Sequence, residues 1–153
     1  MHARLNYPKA SPATYQALLA LQAAVDKSSL EKPLLELVKI RASQINKCAF
    51  CLHMHTRNAR KVGVSEERIY LLDAWRESTL YSERERAALA WTEALTLLPQ
   101  VGAPDQVYEV VAAHFMEAEI AELTLAIGAI NLWNRFGVGF QLVHPHPAPL
   151  MEA

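Results

Sequence analysis

The stretch that decides the fold runs from residue 36 to residue 63 and reads ELVKIRASQINKCAFCLHMHTRNARKVG. Apolar residues recur in it at spacings of three and four, which is the period of an amphipathic helix and not that of a strand. Asn46 interrupts the pattern, and Gly63 ends it with a residue that tolerates the left-handed conformation after a helix. The stretch therefore predicts one helix ending towards Ile45 and another over Lys47–Val62. Asn46 is the expected N-cap of the second.

The same period, followed outward from this stretch, predicts helices along the whole chain. Residues that favour N-caps and first turns indicate where helices begin, and Pro and Gly indicate where they end. The clearest start is the capping-box pattern at residues 82–85, SERE. The expected fold class is an all-α bundle of about seven helices with the C-x-x-C motif at the start of the third. The predicted helices span residues 12–25, 32–45, 47–62, 65–75, 82–98, 104–114 and 117–135.

No linker or internal repeat divides the 153 residues, so we expect a single domain over 1–153 with its core at about 34–136. At this length a fold hides about 68–70% of its unfolded surface, so a full core needs no disulfides or structural metals. The proline-rich end, residues 141–153, predicts a mobile tail.

The net charge and the apolar segments of the chain indicate which binding partners and which compartment to expect. The formal net charge is -1, with 15 Lys+Arg against 16 Asp+Glu, which disfavours nucleic-acid and anionic-membrane binding. The first residues contain no apolar signal region, so we expect a cytoplasmic protein. The longest apolar stretch, residues 120–133, contains Glu122 and is too short to cross a bilayer.

The seventh predicted helix is apolar nearly all round, so its large side chains cannot all point to one side. The helix is therefore either central in the subunit or shared with another subunit, and the second alternative predicts a homo-oligomer. The polar and aromatic residues near its end are expected to pack and cap the helix, with pocket lining as the alternative. They are Asn131, Trp133, Asn134 and Arg135.

Both cysteines of the chain lie in the motif Cys48-Ala-Phe-Cys51. A bridge between them would close so small a loop that it would constrain the unfolded chain little, so redox or metal chemistry explains them better than stability does. Residues three apart on a helix have Cα atoms about 5 Å apart, within the range that a disulfide accepts. Zinc is disfavoured because Cys48, Cys51, His53 and His55 cannot converge on one ion from one continuous helix. We expect neither a metal nor a cofactor.

Glu36 and His55 lie about equally far before and after the turn near Asn46, so antiparallel helices would place them side by side. His55 is also one helical turn after Cys51, on the same face. These positions predict a proton relay in which Glu36 orients His55 and His55 takes the thiol proton of Cys51.

Two opposing effects bear on which of the two sulfurs acts as the nucleophile. The helix dipole favours a thiolate at Cys48, near the helix start, by about 0.3–1 kcal/mol. A positioned base contributes about 10²–10⁴ in rate, and only Cys51 has one, in His55. The predicted attacking thiol is therefore Cys51, and Cys48 is expected to be the resolving and more exposed one.

The stretch 36–63 resembles the core of the AhpD-like alkylhydroperoxidases in the carboxymuconolactone decarboxylase superfamily. That all-helical core carries a Glu, a C-x-x-C twelve residues later and a His four residues after the second Cys. The matching positions here are Glu36, Cys48, Cys51 and His55. The best-known members have a His directly before the second Cys, where this sequence has Phe50. Residues 82–90 and 131–135 also resemble the single-core members, so the resemblance covers about residues 34–136.

The resemblance implies a single-core member of the superfamily with thiol-dependent peroxidase activity. In that activity the second Cys attacks a hydroperoxide, the first Cys closes a disulfide, and a dithiol reductant or redox partner protein reopens it. The family usually forms trimers or hexamers, so the resemblance also implies a homo-oligomer.

Two alternatives to a peroxidase are left open by the sequence. One is a lyase, because the superfamily includes a decarboxylase of a muconolactone whose chemistry does not rest on a cysteine pair. The other is a redox sensor that does not turn over peroxide.

Overall fold

The computed structural model describes residues 2–145, and every regular element among them is helical. The all-α prediction is therefore confirmed. Of the predicted mobile tail, residues 146–153 lie outside the described residues. The elements are α1 (Tyr7–Ala10), α2 (Pro12–Asp26), α3 (Lys32–Ile45), α4 (Ala49–Lys61), α5 (Glu66–Tyr70), a 3₁₀ helix (Leu71–Ala74), α6 (Glu83–Thr96), α7 (Leu98–Val101), α8 (Asp105–His114) and α9 (Glu117–Gly139).

The predicted helices correspond to the long helices of the structure, and the two descriptions differ mainly in short elements. The one-turn helices α1 and α7 were not predicted, because four residues are too few to show a helical period. The predicted helix at 65–75 is α5 followed by the 3₁₀ helix. The capping box at Ser82 and Glu85 is present at the start of α6. The C-x-x-C motif begins α4. This helix is the third predicted one, and it is fourth in the structure because α1 was not predicted.

The turn between α3 and α4 differs from the prediction at its cap. Asn46 ends α3, with its backbone N–H donating to Ala42, and Lys47 takes a left-handed conformation with φ 55°. The N-cap of α4 is Cys48, whose Sγ accepts the backbone N–H of Cys51 at 3.3 Å. The prediction that Asn46 caps this helix was wrong.

The reason lies in the side chain of Asn46, which is committed to α9. Its Nδ2 donates to the Oδ1 atoms of Asn131 and Asn134, at 2.9 Å each. Asn134 in turn donates to Ser43 Oγ at 3.0 Å. These bonds fasten the α3–α4 turn to the last long helix.

Helix α3 occupies the centre of the bundle and packs against α4, α6 and α9. One apolar cluster lies between α2, α3, α6, α8 and α9, and a second lies between α3, α4, α5 and α6. Trp75 and Trp91 are buried in them, as predicted. Glu93 on α6 links α3 to Trp75 of the second cluster. Its Oε1 accepts hydrogen bonds from Arg41 Nε at 2.7 Å and from Trp75 Nε1 at 2.8 Å.

Helix α9 packs against α2, α3, α4, α6 and α8, so it is central within the subunit. Six of its apolar residues are buried there, and Leu125 and Val138 are exposed. The structure thus supports the first of the two alternatives for this helix. Burial within the subunit accounts for the apolar character of α9, which therefore does not by itself require a subunit interface. The six are Ile120, Leu123, Ala126, Ile127, Ala129 and Ile130.

Across residues 2–145, no helix is both long enough and apolar enough to cross a lipid bilayer.

Candidate active site

Cys48 and Cys51 are joined by a disulfide whose Cα atoms are 5.3 Å apart, in agreement with the predicted helical spacing. Cys48 is 1% exposed and Cys51 is 3% exposed. Cys48 is covered by α9, where Gly137 leaves room for the sulfur. The expectation that Cys48 is the more exposed cysteine was therefore wrong, because a helix distant in sequence covers it.

Glu36 and His55 meet as the hairpin geometry predicted. His55 Nδ1 and Glu36 Oε2 are 2.9 Å apart, and both residues are only 7% exposed. An ionised carboxylate can only accept, so Nδ1 carries the proton and donates to Glu36. The opposite ring nitrogen, Nε2, is then free to accept a proton, which is the arrangement that a general base needs.

The second oxygen of Glu36 binds Lys39, a residue that the sequence reasoning did not select. Lys39 Nζ donates to Glu36 Oε1 at 3.0 Å, and Lys39 is also 7% exposed. The available signal was its position three residues after Glu36 on the same helix, which places the two side chains together. The Glu36 carboxylate is thus shared between the His55 ring and the buried Lys39 ammonium group.

The environment of Glu36 favours its charged form. Burial by itself would raise the pKa of this carboxyl, but the hydrogen bond from His55, together with the charge and hydrogen bond of Lys39, lowers the pKa below its ordinary value of 4.5. Glu36 is therefore ionised at neutral pH and holds His55 as an anionic acceptor.

A pocket of about 440 Å³ opens onto this constellation. It is called here the catalytic pocket, after the reaction that the sequence predicts for Cys51. Cys51, His55, Glu36 and Lys39 all line it, whereas Cys48 does not. The predicted attacking sulfur is thus the one that a substrate in the pocket would meet. The other lining residues are Tyr7, Tyr15, Gln22, Asp26, Phe50, Met54, Asn58, Trp133 and Leu142.

One wall of the catalytic pocket comes from the beginning of the chain. The ring of Tyr7 contacts those of Tyr15, Phe136 and Phe140, with centroids 5.9, 4.9 and 5.8 Å away. The backbone N–H of Arg4 donates to Phe140 at 2.8 Å and holds the segment there. Sequence reasoning missed this wall, because nothing local to residue 7 indicates contact with a helix end about 130 residues later.

The four residues near the end of α9 divide between the two alternatives considered for them. Asn131 and Asn134 are buried and fasten the α3–α4 turn, and Arg135 donates to the carbonyl of Asn131 at 2.7 Å. Trp133 instead lines the catalytic pocket, with Nε1 donating to Gln22 Oε1 at 3.1 Å. Packing thus describes Asn131, Asn134 and Arg135, none of which lines the catalytic pocket, whereas Trp133 lines it.

His53 lies outside the catalytic pocket. Its ring stacks on that of His144 at a centroid distance of 4.8 Å. Within residues 2–145, no three His, Cys, Asp or Glu side chains gather as a metal site would require.

Comparison with known proteins shows the family to which the chain belongs. The model of the carboxymuconolactone decarboxylase family matches residues 12–94, more than half of the chain. The chain therefore belongs to the carboxymuconolactone decarboxylase family, and the AhpD-like resemblance is confirmed.

Among its relatives is YdfG, an uncharacterized protein of Bacillus subtilis (strain 168), which is 41% identical over 138 residues, covering 90% of this chain and 94% of YdfG. A crystal structure from Agrobacterium tumefaciens superposes with a TM-score of 0.93 at 49% identity, covering 95% of this chain and 100% of that one. That protein is of unknown function and is described as a candidate AhpD antioxidant defence protein.

The debrominase Bmp8 shares the fold at lower sequence identity. Its crystal structure without ligand superposes with a TM-score of 0.81 at 20% identity, covering 90% of this chain and 74% of Bmp8. At this identity the likeness concerns the fold alone.

Proposed function

We propose that this protein is a thiol-dependent peroxidase that reduces hydroperoxides through Cys51 and Cys48. The observation that carries the proposal is the hydrogen-bonded pair of His55 and Glu36 lining one pocket with Cys51, the second cysteine of a disulfide. A redox-active sulfur beside a positioned base is what peroxide reduction by a thiol needs.

In the proposed reaction, His55 Nε2 takes the thiol proton of reduced Cys51. The thiolate attacks the terminal oxygen of a hydroperoxide, and the O–O bond breaks. Cys51 is oxidised to a sulfenic acid, and the alkoxide takes the proton from His55 and leaves as an alcohol. Cys48 then attacks the sulfenic sulfur, which forms the disulfide and releases water.

A dithiol reductant completes the proposed cycle. One of its thiolates attacks Cys51 Sγ, because that sulfur lines the pocket, and Cys48 leaves as a thiolate. The leaving sulfur is already the N-cap acceptor of α4, where backbone N–H groups favour a negative charge. The second reductant thiol then releases Cys51, so two electrons pass from the dithiol to the protein.

The test is steady-state consumption of tert-butyl hydroperoxide with dithiothreitol as reductant. We expect turnover by the wild type and its loss in Cys51→Ser and Cys48→Ser. The matched control is Thr56→Ser on the same helix, which keeps a hydroxyl and lies outside the catalytic pocket. Disulfide formation without turnover would indicate a redox sensor instead. Activity of the double Cys→Ser variant on a lactone substrate would indicate a lyase.

We further propose that the reaction takes place in the cytoplasm. A reductant able to reopen the disulfide implies the reducing cytoplasm, where stable structural disulfides are rare. We also propose a homo-oligomer, a trimer or a hexamer, on the basis of the family resemblance. Light scattering should then give a mass three or six times 17.1 kDa.

A further inference from the structure

Helix α4 carries three parallel rows of side chains beside the catalytic pocket, of which the first is buried. Cys51 and His55 form the catalytic row, and Phe50, Met54 and Asn58 form the row beside it. His53, Arg57 and Lys61 form a third row, spaced by four residues and cationic in character. Residues four apart on a helix lie on one face, so each row is continuous along the helix.

The cationic row borders a groove of about 400 Å³, called here the outer groove. Phe50, Met54 and Asn58 line both the outer groove and the catalytic pocket, so the two spaces share one wall. Val143 and Pro145 complete the outer groove from the far side. A ligand lying over the shared wall would reach both spaces.

Arg57 and Lys61 supply the positive charge beside the outer groove. Among residues 2–145 neither forms an ion pair, whereas Arg60 on the same helix is paired with Glu66. The local field is felt by His53, whose pKa is lowered by partial desolvation and by the charges of His144 and Arg57. The outer groove therefore presents a positive surface to a ligand.

The charged residues that line the catalytic pocket have the opposite bias, with two carboxylates against one cation. Asp26 and Glu36 line it, and Lys39 is already engaged by Glu36. A negatively charged group would be repelled there and attracted to the outer groove. The wall shared by the two spaces is mainly apolar, since Phe50 and Met54 form it together with one amide, Asn58. This arrangement favours a ligand with an apolar body and one anionic end.

Building on the proposed peroxidase function, we propose that the outer groove binds the carboxylate of an organic hydroperoxide whose peroxide group lies at Cys51. Arg57 is the principal contact, because its planar guanidinium matches a carboxylate in a bidentate manner, and Lys61 adds a second charge. From Cys51, Arg57 is six residues and Lys61 ten residues along the helix. At 1.5 Å per residue, the carboxylate lies about 9–15 Å from the reacting sulfur along the helix axis.

The test compares a medium-chain hydroperoxy acid with its methyl ester, which differs only in lacking the charge. We expect the wild type to have a lower KM for the acid, and added salt to reduce that preference. Arg57→Gln should raise the KM for the acid about three- to fivefold, as expected for an exposed ion pair, and leave the ester unaffected. Arg57→Lys should restore part of the preference. Arg60→Gln is the matched control, since its charge is already paired.

Binding of the redox-inert hydroxy acid to the disulfide form, measured by calorimetry, separates this proposal from the peroxidase proposal. Weaker binding of the hydroxy acid to Arg57→Gln than to Arg60→Gln would support the outer groove even if no hydroperoxide is turned over. Equal binding of the hydroxy acid and its methyl ester to the wild type would overturn the carboxylate site, even with tert-butyl hydroperoxide turned over normally.

Discussion

Gly137 on α9 lies directly against Cys48, so closely that a Cβ at residue 137 would be 2.6 Å from Cys48 Sγ and 3.3 Å from Cys51 Sγ. A contact of 2.6 Å is shorter than folded proteins tolerate. Gly137 lies inside a regular helix and has no positive φ, so the requirement for glycine here is one of space.

Gly137→Ala should therefore destabilise the oxidised protein by about 1–3 kcal/mol, the usual cost of overpacking a filled core. Chemical denaturation monitored by circular dichroism would measure it. The control is Gly128→Ala in the middle of the same helix, where an added Cβ meets no atom within 4 Å and helix propensity predicts a gain of about 0.5–1 kcal/mol. Equal effects of the two substitutions would contradict the close approach to the disulfide.

The roles of the two sulfurs can be read from a trapped intermediate. Cys48→Ser removes the resolving thiol, so one equivalent of peroxide should leave a sulfenic acid on Cys51 that a dimedone-type probe labels. Mass spectrometry of the labelled peptide would locate it. Wild-type protein should instead form the Cys48–Cys51 disulfide and block both thiols together. Rapid labelling at Cys48 in Cys51→Ser would reverse the assignment.

His55→Ala should slow formation of the Cys51 sulfenic acid by about 10²–10⁴, the range for loss of a positioned general base. Stopped-flow measurement with hydrogen peroxide on the Cys48→Ser background isolates this step. His53→Ala is the matched control, because His53 lies on the same helix but outside the catalytic pocket. Similar rates for both variants would remove His55 from the relay.

The lowered pKa of Glu36 predicts a pH-dependent contribution to stability. A carboxyl whose pKa is lower in the folded state stabilises fully above its unfolded pKa, near 4.5, and this contribution disappears as the pH falls through the folded pKa. Glu36→Gln should thus cost about 3–5 kcal/mol at neutral pH, because Lys39 is left buried and unpaired. The difference in unfolding free energy from the wild type should shrink below pH 4.5. A difference independent of pH would show that the ionised form of Glu36 is not what matters.

Much of the fold and the central pair of the site were predictable because their determinants are local. Caps and helical periods place the long helices, and Glu36 and His55 meet because they are equally distant from one turn. The failures have distant causes. Asn46 does not cap α4, because its amide binds Asn131 and Asn134 about 85 residues later. The burial of Cys48 likewise depends on α9, which no local pattern indicates.

The aromatic wall at Tyr7 has an evolutionary consequence. Tyr7 and Leu142 both line the catalytic pocket, yet both lie outside the span that the family model matches, residues 12–94. Glu36, Cys48, Cys51 and His55, the residues of the proposed reaction, lie inside that span on the α3–α4 hairpin. Substitutions in the outlying segments can therefore change the shape of the pocket without changing these four residues. Selection can act on specificity and on chemistry as two separate traits of one small chain.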